Sequence, residues 1–223
     1  MKAVILAAGA PRMRRWFPPD SKPKCLYHRD GEVILVNAVK CLRKAGISDI
    51  RIVVGYCGGD IEEFNEEHGL GLEVVYNENW EIDAVASIEE GIRDVDDDVL
   101  LIFGDVVLRT DVVKAFLECP EPLARIKLAK NPERPELLFE YHVHVVKVAK
   151  EKLSIFEDAR ENMEVYMRSH PVYSSISYGT GIALVAALSE TLRLNEPVAE
   201  VAVEEAMVEV DLYRQTDERR LKA

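Results

Sequence analysis

Four short apolar runs, rich in β-branched residues and separated by segments with helical spacing, constrain this chain more than any other feature. They are residues 2–8 (KAVILAA), 49–55 (DIRIVVG), 72–76 (LEVVY) and 99–103 (VLLIF). Runs of this length between turn formers read as strands buried on both faces. The segments between them read as helices. Residues 33–46 place Val36, Val39 and Leu42 on one face, with Arg43 and Lys44 near the end and Gly46 as C-cap. Residues 59–68 form an acidic helix, and residues 83–94 and 111–118 two more, with Asp111 placed to cap or charge the last. This order predicts a Rossmann-like α/β fold: a mostly parallel central sheet with helices on both faces. Ligands of such sheets sit at the carboxyl ends of the strands, and Gly9, Gly55 and Asp105 all fall there.

The second half of the chain reads differently. Residues 125–129 and 141–150 are strands, the latter with more alternation, and residues 153–156 and 165–167 are short β candidates. Together they predict a small antiparallel addition that walls one side of a pocket. Residues 178–182 are a polar turn before a helix at 185–194, and residues 200–207 read as helical. Residues 131–135 (NPERP) are the best loop or hinge candidate. Residues 1–223 form a single domain on this reading, with a nucleotide-binding half at 1–120 and an acceptor-binding half at 121–223.

Charge is distributed unevenly. Arg12, Arg14, Arg15, Lys22 and Lys24 follow the first strand, opposed only by Asp20, so residues 12–24 carry +4 in a chain of net charge −12. A cationic loop hung from a buried strand, in an otherwise acidic protein, reads as an anion site. Ala7-Ala8-Gly9 is small enough for close backbone approach, and such a turn lets successive N–H groups point at phosphate oxygens. The acidic balance argues against non-specific nucleic-acid binding, which needs an extended basic face. Cys25, Cys41, Cys57 and Cys119 form no Cys-x-x-Cys and read as thiols of a reducing cytosol, which predicts a cytoplasmic protein. No run approaches a membrane span, and residues 2–10 are too short, and too closely followed by arginines, for a secretory signal.

Leu6-Ala7-Ala8-Gly9, then Arg12-Met13, then Pro23-Lys24-Cys25-Leu26 resembles the signature of the nucleotidyltransferases that make nucleoside diphosphate sugars and CDP-alcohols. It is closest in feel to small cytidylyltransferases acting on choline or inositol phosphates. The resemblance implies that Leu6, Ala7, Ala8 and Gly9 bind the nucleotide, and that Arg12 and Lys24 neutralise phosphates during catalysis. It departs from the family pattern Leu-Ala-Ala-Gly-x-Gly-x-Arg-Met by one residue, with Pro11 near the second glycine. Proline has no N–H to donate, so one phosphate contact is lost or rerouted, with Arg14 or Arg15 as substitutes.

Gly104-Asp105 is the second informative site. A carboxylate directly after an apolar strand suits Mg²⁺, which binds through one or two carboxylates and substrate phosphates. Alone, the pair reads as a strand-end turn. Beside the first stretch it resembles the family's metal site, which implies Asp105 and a second acid as ligands and Gly104 against the nucleotide. Asp211 is the choice for that acid, with Asp217 in reserve as an alternative helix N-cap. Asn77-Glu78-Asn79-Trp80, then Ser87, resembles the segment that contacts base and ribose, although Ser87 serves equally as a helix residue bonding its own backbone. Tyr178, Gly179, Thr180 and Gly181 resemble an acceptor-binding segment. His142 and His144, two apart, read as a polar or partly buried strand face, since a zinc site needs three or four ligands. Trp16, Phe17 and Trp80 either cover a base or plug loops onto the core.

The resemblance implies a Mg²⁺-dependent transfer from CTP, UTP, dTTP or GTP to a phosphorylated sugar or alcohol, with pyrophosphate released. The alternative is a nucleotide-binding protein without turnover, because Pro11 and a shortened loop disturb the phosphate-binding motif. A dinucleotide oxidoreductase needs Gly-x-Gly-x-x-Gly and an acid after the second strand, and Gly55-Tyr56 stands there instead. Oligomeric state is open.

Overall fold

The computed structural model describes residues 1–10, 22–81, 85–128, 144–156 and 199–203. Their core is a seven-stranded sheet. In chain order the strands are β1 (Lys2–Leu6), β4 (Ile50–Val54), β5 (Glu73–Tyr76), β6 (Val99–Phe103), β7 (Leu123–Leu128), β8 (Val145–Val148) and β9 (Ala199–Val203). A separate hairpin pairs β2 (His28–Arg29) with β3 (Glu32–Val33). Across the sheet the order is β5-β4-β1-β6-β8-β7-β9. Only β8 runs against its neighbours, antiparallel to both β6 and β7. The chain leaves β1 to add β4 and then β5 on one side, and returns to lay β6 on the other. The switch point of the sheet therefore lies between β1 and β6, and in open sheets of this kind ligands bind in a crevice outside the strand ends at that point.

Alternation along β1 explains the two layers. Ala3 and Ile5 join one core cluster with Ile50, Ile52, Val54, Leu100 and Ile102. The helices α1 (Ile34–Lys44), α2 (Gly58–Glu67) and α4 (Thr110–Glu118) cover that face through Leu35, Leu42, Ile61 and Phe116. Val4 and Leu6 join the opposite cluster with Val53, Leu101, Val146 and Val148, covered by α3 (Val85–Ile92) through Ile88. Helix α3 rests directly on β1, since a Cβ on Gly91 would lie 2.6 Å from Val4 Cγ1. Helix α1 ends as its sequence predicts. Gly46 takes φ +97°, its N–H bonds the Arg43 carbonyl, and the Ile47 N–H bonds the Leu42 carbonyl at 3.0 Å.

Three expectations from the sequence are corrected. The 153–156 stretch, read as a strand, lies in a 3₁₀ helix at Lys150–Phe156. Leu153 and Phe156 are three apart, which puts both on one side of a 3₁₀ turn, where they pack into the second core cluster. The 200–207 stretch, read as helical, begins in β9, which pairs in parallel with β7 from Ala124↔Ala199 to Leu128↔Val203. Val201 and Val203 alternating with Glu200 and Ala202 give a period of two that the helical reading passed over. The 141–150 strand shrinks to β8 in the described residues, and all four of its residues are buried. It lies between β6 and β7, with Val145 in one core cluster and Val146 and Val148 in the other, and Lys147 points its ammonium at the Cys119 carbonyl. Residues 131–135, 165–167 and 185–194 lie outside the described residues.

One polar device joins the layers. Arg51 is buried within β4 and donates to the carbonyls of Gly91 at 3.1 Å and Arg93 at 2.7 Å, closing the end of α3. Its second branch binds Glu73 at 2.6 Å, and Lys2 reaches the same carboxylate at 2.6 Å. The Arg51 hydrogen bond holds the Glu73 carboxyl down to about 2, against burial and with help from Lys2. A depressed carboxyl stabilises the fold above its unfolded value, and that stabilisation is lost as the pH falls from there toward about 2. Glu73 is half exposed, so the contribution is about 1 kcal/mol or less after solvent screening. In urea titrations the stability difference between wild type and Glu73→Gln is expected to shrink from pH 5 to about pH 2. A difference that stays constant over that range would contradict this.

Candidate active site

The ends of β1, β4 and β6 are stitched together by the backbone that follows them. The Ala7 N–H bonds the Val53 carbonyl, the Gly104 N–H bonds the Leu6 carbonyl, and the Tyr56 N–H bonds the Ala8 carbonyl, each at 2.9 Å. These bonds use the Leu6 and Ala8 carbonyls and the Ala7 N–H for the sheet. The N–H groups of Ala8 and Gly9 meet no acceptor among the described residues, and a Cβ on Gly9 would meet nothing within 4 Å. Among the described residues the turn thus leaves two successive donors unpaired, one on buried Ala8 and one on exposed Gly9, the pattern an anion-binding backbone uses.

The other glycines of the crevice serve the chain itself. A Cβ on Gly104 would lie 2.8 Å from Ala7 Cβ and 3.1 Å from the Leu6 carbonyl oxygen. The space beside Gly104 is thus filled by Ala7. A Cβ on Gly55 would lie 2.5 Å from Trp80 Cβ and 2.9 Å from the Ala8 oxygen. Trp80 packs over Gly55, edge-on to Tyr56 with ring centroids 5.5 Å apart, and is partly buried against the second core cluster. Of the two roles open to Trp80, the structure supports the plug.

Lys24 begins a short 3₁₀ turn, Lys24–Leu26, whose Cys25 and Leu26 are buried. The Leu26 N–H bonds the Pro23 carbonyl at 3.0 Å, so the backbone under Lys24 is fixed. Its ammonium donates to Asp105 Oδ2, across 81 residues of sequence. The Asp105 side chain is 8% exposed and that of Lys24 26%. Burial alone would raise the Asp105 carboxyl; the Lys24 charge and hydrogen bond, with His144 adding to them, more than offset it and hold the group below its ordinary value. Burial, together with the Asp105 charge, pushes the Cys25 thiol up to about 12, which leaves it protonated and inert.

His144 was missed as part of this site. It is buried, its carbonyl accepts the Phe103 N–H at 3.0 Å, and its ring lies 5.2 Å from the Phe103 ring. It thereby stands beside the end of β6 that carries Asp105. The signal was the pairing of β6 with β8, which a lone His-x-His does not disclose.

Asn77 and Ser87 are brought together, but with each other. Asn77 Nδ2 donates to Ser87 Oγ at 2.9 Å, and both residues are buried. Asn77 Oδ1 accepts the Asn79 N–H at 2.9 Å, and the Asn77 N–H bonds the Val54 carbonyl at 2.8 Å. The pair is a strut between the end of β5 and α3. Pro11, Arg12, Arg14, Arg15, Trp16, Phe17, His142, Tyr178, Gly179, Thr180, Gly181, Asp211 and Asp217 lie outside the described residues. Among the described residues no cluster of three or more His, Cys, Asp or Glu could hold a metal. Among the described residues Asp105 presents a hard carboxylate oxygen there, already paired with a cation, the Lys24 ammonium. No helix of the described residues is long and apolar enough to cross a membrane.

Solved structures similar to this chain include nucleotidyltransferases. One from Methanothermobacter covers 100% of this chain and 99% of its own, with a TM-score of 0.63 and 17% identity. The inositol-1-phosphate CTP transferase of T. maritima covers 97% and 95%, with a TM-score of 0.61 and 16% identity. The chain belongs to the MobA-like NTP transferase domain family, whose model matches residues 3–171. Among curated proteins it is 34% identical over 113 residues to the bifunctional protein GlmU of Rhizobium etli, 49% of this chain and 24% of that protein. It therefore spans about a quarter of the length of that relative.

The packing around Gly104 generates a direct test. Gly104→Ala is expected to destabilise the protein by about 1–3 kcal/mol in urea unfolding, because the new methyl overpacks Ala7. Ala7→Gly in the same chain should restore part of the loss. Equal loss in the single and double variants would show that Ala7 is not what requires glycine at 104.

Proposed function

We propose that this protein is a nucleotidyltransferase that joins a nucleoside triphosphate to a phosphorylated sugar or small alcohol and releases pyrophosphate. The observation that carries this reading is the convergence of Lys24 and Asp105 at the switch point of the sheet, beside the open N–H groups of Ala8 and Gly9. A substrate phosphate oxygen attacks the α-phosphorus, and the bond to the β-phosphate oxygen breaks. The attacking monoester oxygen is already ionised at neutral pH, so no general base is needed. The work left to the protein is to hold two polyanions in line and neutralise developing charge.

The Ala8 and Gly9 N–H groups would receive phosphate oxygens. Lys24 would bridge the α-phosphate and the incoming phosphate. Arg12, which lies in the basic stretch after the turn, would neutralise the leaving pyrophosphate. Asp105 with Asp211 would hold a Mg²⁺, which when bound supplies Lewis-acid polarisation of the α-phosphate. Residues 1–120 would carry the nucleotide and residues 121–223, with Tyr178, Gly179, Thr180 and Gly181, the acceptor. The buried Asn77–Ser87 pair would act from beneath, by fixing the end of β5, rather than by touching the base. The inositol-1-phosphate CTP transferase of T. maritima shares this fold, and the pneumococcal choline-phosphate cytidylyltransferase is 33% identical over 81 residues. Both support an alcohol phosphate as acceptor and CTP as donor. The four scattered cysteines support a cytoplasmic setting.

Incubation with each of CTP, UTP, dTTP and GTP, Mg²⁺ and a panel of phosphate monoesters is expected to release pyrophosphate with one pair. Lys24→Ala should lower kcat by at least about a hundredfold with the fold retained, as loss of a charge-stabilising donor does. Near-wild-type turnover would remove Lys24 from the mechanism. A rise in Tm with a nucleotide but no pyrophosphate from any pair would favour a binding protein without turnover, the reading that Pro11 motivates.

A further inference from the structure

We infer that Lys24 is a built-in stand-in for the divalent cation: it occupies the Asp105 oxygen in the resting protein, and a metal ion binds there only as the Lys24 side chain leaves. The inference rests on the reading of Asp105 as a metal ligand, and adds to it an exchange that couples metal binding to the freeing of Lys24.

The geometry makes the two cations exclusive. The Lys24 ammonium donates to Asp105 Oδ2. A divalent ion on that carboxylate would stand within a few ångströms of the ammonium, in a site where the Asp105 side chain is only 8% exposed. Like charges so close, with little water between them, repel strongly. A buried carboxylate without any cation is equally unfavourable. One positive partner at a time satisfies Asp105, and the chain supplies its own when the metal is absent.

The exchange needs no loop motion. Cys25 and Leu26 are buried and the turn beneath Lys24 is hydrogen-bonded, so its backbone stays in place. The side chain, at 26% exposure, has a route outward, and its flexible stem lets the ammonium swing while Cα is fixed. The open N–H groups of Ala8 and Gly9 mark where a phosphate would meet it. A nucleotide phosphate gives the displaced ammonium a new partner, so nucleotide and metal bind with positive coupling, and each must raise the affinity of the other equally. Free metal ion alone, with no phosphate to receive Lys24, binds weakly.

The test is the affinity of Mn²⁺, read by electron paramagnetic resonance of the free ion, without nucleotide. Lys24→Met removes the competing ammonium and keeps the length of the side chain. It is expected to bind Mn²⁺ at least tenfold more tightly than wild type, while Lys22→Met, which removes the same charge two residues away, should change the affinity less than twofold. In wild type, ¹⁵N spectra of the lysine ammonium groups should show a Lys24 signal that loses its carboxylate partner when Mg²⁺ and CTP are added together. Unchanged or weaker Mn²⁺ affinity in Lys24→Met, or a gain matched by Lys22→Met, overturns the exchange while leaving Asp105 as a ligand. Should Lys24→Met fold poorly without metal, the wild-type ammonium spectrum decides: a Lys24 signal that keeps its partner at saturating Mg²⁺ and CTP overturns the exchange. Wild type that binds no Mn²⁺ even with saturating CTP overturns both the exchange and the metal reading beneath it.

Discussion

A carboxylate buried at the end of a central strand cannot stay ionised without a cation against it, and in this protein Lys24 supplies that cation to Asp105. The pair ties the turn after the first strand's loop to the end of β6, two segments that share no backbone pairing with each other. It also sets the chemistry of the crevice. Asp105 stays anionic with Lys24 against it, and the N–H groups of Ala8 and Gly9 meet no acceptor among the described residues. An arrangement of this kind suits the proposed binding of a charged phosphate chain with a hard metal ion.

The scaffold around the pair is unusually economical in side chains. Leu6, Ala7 and Ala8 are held through their backbone atoms, and glycines at 55 and 104 let neighbouring elements close on them. Small residues are required there because the strand ends approach one another, leaving the loop rigid up to Gly9. Rigid donors cost little to organise when charge develops, which is how preorganised sites act. Beneath this surface, Asn77 with Ser87 and Arg51 with Glu73 fasten α3 and β5 to the sheet.

The parallel half of the fold was legible because β1, β4 and β6 are buried and read as apolar runs, while β5 is a partly exposed edge strand recognised by Val74 and Val75. The Gly46 ending of α1 was legible because one residue type suits a positive φ. Failures came where local pattern is ambiguous. Leu153 and Phe156 suit a short strand or a 3₁₀ turn, and only packing under the sheet separates them. The stretch beginning at Ala199 has helical composition, and its alternation gains meaning from β7, which it joins. Lys24 and Asp105 were found by motif and order along the chain. His144 was not, because its place follows from the pairing of β8 with β6. The closeness of Gly104 to Ala7 and the bond from Asn77 to Ser87 are not revealed by sequence spacing.

Membership in the MobA-like NTP transferase domain family agrees with the proposed chemistry. The central claim is that Lys24 and Asp105 act as one unit on a metal-bound nucleotide. Calorimetric titration of Mg²⁺-CTP into wild type, Lys24→Ala, Asp105→Ala and the double variant measures this directly, as a double-mutant cycle. The account predicts strong non-additivity, with the double variant losing little more affinity than the worse single one. Losses that simply add, or variants that bind as wild type does, would contradict it.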